Sequence, residues 1–164
     1  MVDPGSAEPS EEVSGSDGDA GDTSLDAAEE ARDQRRQRLA KLDALRAEGI
    51  DPYPVRFDTS DTAGGLRREF ATLEAGSNTD HRVRIAGRVL LLRRQGKLSF
   101  ATLADRDGSI QLFVSQKAIG EADHDAFDRL DRGDWVGIEG TVMTTRRGEL
   151  SVNVERFTLL AKAV

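Results

Sequence analysis

The sequence predicts a mainly β protein: a five-stranded OB-fold barrel preceded by N-terminal helices and an acidic disordered tail. Three observations carry this. Apolar residues switch from helical spacing to strict alternation after Asp80; turn signals then divide the remainder into three strands, a helix and two strands; and the first 23 residues hold almost no apolar side chain. A coiled five-stranded sheet with a helix between its third and fourth strands has the OB element order, and curling it into a barrel removes bare edges. A split barrel of other topology has the same elements and stays open on spacing alone.

The elements follow in chain order. Residues 1–23 are mostly Gly, Ser, Asp and Glu, which bury too little apolar surface to offset the entropy of ordering, so they are expected to be disordered. Residues 24–80 form a helical extension. Ala27, Ala28, Ala31, Leu39, Leu42 and Leu45 mark one amphipathic helix that Gly49 stops; Pro52 and Pro54 then hold the chain extended, and a shorter helix covers Asp61 to Leu73 despite Gly64 and Gly65.

The barrel is expected over residues 81–164. Val83, Ile85, Gly87, Val89 and Leu91 alternate with polar neighbours in a first strand, whose glycine suits a bend or bulge. Leu98 to Asp105 and Ile110 to Ser115 form a hairpin through Gly108, residues 117–131 a helix, and Trp135 to Thr145 and Glu149 to Leu159 a second hairpin through Gly148.

Composition narrows the function. The 164 residues carry 23 bases and 30 acids, but residues 1–31 hold 10 acids and no base, so the remainder is near +3 with 20 acids against 23 bases. There is no cysteine, and two histidines, His81 and His124, cannot make a multi-histidine site, so no metal site is expected. No apolar run approaches the roughly 18 residues of a spanning helix, and the acidic start is unlike a signal peptide, so neither a membrane partner nor secretion is expected.

Alternation also assigns faces. With Ile110, Leu112 and Val114 turned inward, Gln111 and Phe113 point out; with Leu150, Val152 and Val154 inward, Glu149, Ser151 and Asn153 point out. If Leu103 is core, Phe100 is outside. Arg82, Arg84, Arg88, Arg93, Arg94 and Lys97 add six positive charges in 17 residues without an intervening acid, a strip suited to an RNA backbone. An exposed ring beside cations suits single-stranded nucleic acid, and a carboxylate there suits a hydrogen bond from a base edge such as uracil N3–H. Against this stands the plainer reading of Phe100 as core and of the arginines as a solvated face.

These residues resemble the anticodon-binding N-terminal domain of class II lysyl-tRNA synthetases. The resemblance rests on Leu45 to Gly49 with Pro52, Tyr53, Pro54 and Phe57; on Ala86 to Arg88, Gly96 to Phe100, and Leu103 to Gly108 with Ile110 to Leu112. It continues through Gly133, Asp134, Gly137, Gly140, Gly148 to Ser151 and the closing Leu159, Leu160, Lys162 and Ala163. It covers residues 35–164. Aspartyl and asparaginyl relatives share the OB domain, but Pro52 to Pro54 and Gly148 to Ser151 look lysyl.

The resemblance implies that Phe100 stacks on the middle anticodon base, that Gln111 and Glu149 read its edge, and that Arg93 or Arg94 helps. It implies a class II lysine tRNA ligase as the parent, attaching lysine to tRNA-Lys with ATP and magnesium on a catalytic domain absent from this chain, which itself takes no cofactor. The implied partner is the anticodon stem-loop of tRNA-Lys, with a homodimer allowed in the parent and a cytoplasmic location. The basic helix from Arg32 to Arg46 would support the anticodon stem or a partner subunit, or merely cap the barrel. Rival readings are a sequence-neutral single-strand binder, a subunit-interaction domain using Phe113 and Trp135, and the similar domain of a bifunctional lysyl-phosphatidylglycerol synthase.

Overall fold

The computed structural model describes residues 22–53 and 56–164, so residues 1–21 of the tail expected over 1–23, and Pro54, lie outside the described residues. The chain divides into two compact units, one ending at Gln37 and one running from Arg38 to Val164.

Helix α1 spans Asp22–Ala47, beginning two residues inside the stretch expected to be tail. Its amphipathic reading needs correction, because every described side chain from Leu25 to Gln37 is exposed. Three alanines among charged residues offer too little apolar area to hold a face against anything. In the second unit Leu42 is buried and Leu45 partly so. The helix stops as its sequence predicts: Gly49 takes φ 75°, its N–H donates to the Arg46 carbonyl, and the Ile50 N–H donates to that of Leu45.

Helix α2 is shorter than expected, Ala63–Glu69, and is capped by Thr62, whose hydroxyl accepts from the Gly65 N–H at 3.1 Å. Gly64 is required by packing rather than by its backbone angle. A Cβ there would collide with the carbonyl oxygen of Asp107. Ala63 and Leu66 belong to the same buried core as the strands.

The strands are β1 (Asn78–Gln95), β2 (Leu98–Ala104), β3 (Ser109–Ser115), β4 (Trp135–Thr144) and β5 (Leu150–Ala161), closed in the order β1-β2-β3-β5-β4. β1 pairs with β4 from Arg82 to Arg88 and with β2 from Arg88 to Gln95, so one long strand serves two neighbours. Gly87 sits at the changeover, where a Cβ would strike the Ala104 carbonyl. The irregularity falls later, between Val89 and Leu91. It turns Leu91 outward, 44 % exposed, against the expectation that it is core, and Leu92 packs inward instead. Closure comes from parallel pairing of β3 with β5, Gln111 opposite Ser151 and Phe113 opposite Asn153.

The helix expected over residues 117–131 is two, α3 (Gln116–Ile119) and α4 (Glu121–Asp128), because Gly120 at φ 89° breaks it. Phe127 and Leu130 cover one end of a core built from Val83, Ile85, Leu103, Ile110, Ile138 and Val152.

Candidate nucleic-acid interface

In β2, Ser99, Ala101 and Leu103 are buried and Phe100 faces out, half-buried. The register places Arg93 of β1 opposite Phe100 on one side and Phe113 of β3 on the other. The two rings meet edge to face with centroids 5.5 Å apart, and the Arg93 guanidinium lies 5.4 Å from the centre of the Phe100 ring. Gln111 follows two residues before Phe113 on the same outer face, and its side-chain oxygen accepts from the Ser151 hydroxyl at 2.9 Å. That bond leaves the amide N–H groups to donate outward.

Glu149 lies in the turn just ahead of β5 rather than opening the strand. Its backbone N–H donates to the Thr145 hydroxyl at 3.1 Å, and its carboxylate accepts from Arg67 at 3.1 Å. Phe100, Gln111, Glu149 and Arg93 line one open recess of about 980 Å³, together with Arg146 and Arg147 of the β4–β5 turn. A ring, an amide, a carboxylate and cations thus share one open hollow.

The six cations expected as a strip along the first strand are all exposed, and four of them have partners elsewhere in the fold. Arg82 pairs with Glu155 at 2.8 Å, and Arg84 pairs with Glu139 at 2.9 Å while lying over the Phe57 ring. Arg88 lies over the Trp135 ring, and Arg94 donates to the carbonyls of Asp128 and Leu130. Acids pair with two of these charges, a ring and backbone carbonyls orient the other two, and none of the four lines the recess. Lys97 is exposed in the turn joining β1 to β2. Of the Arg93 and Arg94 pair, Arg93 is the one at the ring.

Two recess residues, Arg146 and Arg147, and one residue bonded to the recess, Arg67, escape a sequence reading of strand faces. Arg146 and Arg147 could have been found by extending the search for positive charge into the turn beside Glu149. Arg67 gives no such signal, because 82 residues separate it from its partner. Among the described residues, the group able to offer donors to a metal is Asp61, Glu69 and His81, with one ligand atom each within 4.8 Å of the others. It shares no residue with the recess, and the Asp61 carboxylate already accepts from the Ser60 hydroxyl at 2.5 Å.

Residues 83–160 match the family described as an OB-fold nucleic acid binding domain of tRNA anticodon type. The barrel is a tRNA anticodon-type OB-fold domain. The chain is similar to the lysine–tRNA ligase of Streptococcus thermophilus, 41 % identical over 126 residues, covering 76 % of this chain and 25 % of the ligase. A lysine–tRNA ligase of Synechococcus sp. is 43 % identical over 126 residues, covering 77 % and 25 %. That of Nostoc punctiforme is 40 % identical over 134 residues, covering 77 % and 24 %. The chain spans about a quarter of the length of the ligases it matches. No helix among the described residues of this OB-fold protein is long and apolar enough to cross a membrane.

Proposed function

We propose that this OB-fold domain reads the uridine-rich anticodon of lysine tRNA. Phe100 stacks on the middle base, the Gln111 amide donates to a base carbonyl, and Glu149 accepts the base N3–H. Arg93, Lys97, Arg146 and Arg147 neutralise neighbouring phosphates. The observation that supports this most is that the three readers, from β2, β3 and the turn before β5, line a single recess. On the same reading residues 24–80 are an extension to the anticodon-binding domain at 81–164. The parent is a cytoplasmic, homodimeric ligase that joins lysine to its tRNA with ATP and magnesium, which we assign to the three quarters of the ligases' length outside the match.

The test is an equilibrium titration of the 164-residue chain with the lysine anticodon stem-loop and with the same stem-loop carrying cytidine at the middle position. Cytidine lacks the N3–H that the carboxylate requires. A preference of about 10-fold or more for uridine is expected, the scale of one lost base contact. Equal affinities reject base reading and leave sequence-neutral single-strand binding.

A further inference from the structure

We infer that Arg67 is a positioning residue for base discrimination: it holds the Glu149 carboxylate in one orientation inside the recess. The inference rests on the anticodon reading proposed above. Glu149 is half exposed in the turn ahead of β5, and a side chain so placed ordinarily samples many rotamers. A loose carboxylate is a poor reader, because ordering it at the moment of binding subtracts from the affinity for the right base.

Arg67 removes that freedom. One Nη donates to Glu149 Oε1 at 3.1 Å, while its Nε donates to the Ser109 carbonyl at 2.5 Å, so the guanidinium is itself fixed at two points. The planar fork suits this double duty, and a lysine ammonium would not reproduce it. From the other side the Glu149 backbone is tied to Thr145. Oε2 accepts no hydrogen bond among the described residues, which leaves it for a base N–H. The guanidinium also offsets a negative charge that would otherwise repel the phosphates beside it.

This arrangement reaches from helix to turn. Arg67 sits on α2, whose N-terminus is pinned to the β2–β3 turn by Asp105 and Asp107, so the helix delivers the guanidinium from a docked support. Recognition at the recess thereby draws on an element outside the five strands.

The experiment measures two dissociation constants for each protein, for the uridine and cytidine stem-loops, on the parent chain and on Arg67→Gln, Arg67→Lys, Glu149→Gln and the Arg67→Gln/Glu149→Gln double variant. Thermal unfolding of each confirms the fold. Arg67→Gln is expected to lower the uridine preference about 3- to 10-fold, the scale of one side chain ordered on binding. Arg67→Lys should recover overall affinity by restoring the charge while leaving the preference low. In the Glu149→Gln background, Arg67→Gln should shift both constants alike and leave their ratio unchanged. An unaltered preference in Arg67→Gln, with the preference lost in Glu149→Gln, overturns the inference and spares the anticodon reading. No preference in the parent chain overturns both.

Discussion

Phe100 and Phe113 face one another across the β2–β3 register, their rings at 81° and 5.5 Å. The edge-to-face contact holds the Phe100 ring upright, with Arg93 beside it, and a base can lie against it. Phe100→Ala is therefore expected to weaken RNA binding by about 1–3 kcal/mol, the usual range for a stacked base. Phe113→Ala should cost less, because that ring packs on its neighbour and is not the one proposed to stack on the base. Fluorescence anisotropy with a labelled anticodon stem-loop separates the two; an unchanged affinity for Phe100→Ala removes it as the stacking ring.

A charge already paired with an acid adds less to counterion release from RNA than an unpaired one, and this divides the arginines. Arg93 faces the recess, whereas Arg84 is held by Glu139 at 2.9 Å. Arg93→Ala should reduce the slope of log K against log salt by about 0.7, as for one phosphate contact on a single strand. Arg84→Ala should leave the slope where it was. A flattened slope in Arg84→Ala would show that the Glu139 pair opens to bind phosphate.

These two residues also show what the sequence makes legible. Alternation puts Phe100 on the face opposite Ala101 and Leu103, because a period of two needs no tertiary information, but only the burial of Leu103 shows which face is outer. The outward position of Gln111 and the element order of the barrel do follow from the sequence. Arg84 and Arg93 look alike in sequence, and only the partner strand decides that one is neutralised by an acid 55 positions on while the other meets a ring. The bulge at Leu90 is equally silent: three successive leucines fit either parity, and Leu92 rather than Leu91 turns inward once β1 changes partners. Helix α1 misleads in the opposite sense, since its spacing is helical but its alanines bury nothing.

Gly64 should be intolerant of a single methyl group. The Ala63 N–H donates to the Asp105 carboxylate at 2.7 Å and the Thr62 hydroxyl to Asp107 at 2.7 Å, drawing α2 against the β2–β3 turn until only a hydrogen fits. Gly64→Ala gains helix propensity of about 1 kcal/mol. Against that it forces helix and turn apart, for which overpacking of about 1–3 kcal/mol is expected. Net destabilisation in urea unfolding is the predicted outcome; a stabilised variant would mean that the turn yields freely.

The closing residues hold a buried charge cluster. Lys162 is buried and donates to Asp131 and to the fully buried Asp134, each at 2.6 Å, while Lys41 of α1 reaches Asp131 at 2.6 Å. Lys162→Ala leaves the Asp134 charge buried without its cation and should cost about 3–5 kcal/mol. For Asp131 burial pushes the carboxyl up, but hydrogen bonds from Lys162 and Lys41 outweigh it and hold the group below its ordinary 3.8. A carboxyl depressed in the folded state stabilises fully above its unfolded value. Its contribution therefore disappears as pH falls below 3.8 towards the folded value. Asp131→Asn should be less stable than the parent at pH 7 and lose less on further acidification, so that the two melting-temperature profiles converge in acid. Profiles that run parallel would place the acid sensitivity in some other carboxylate.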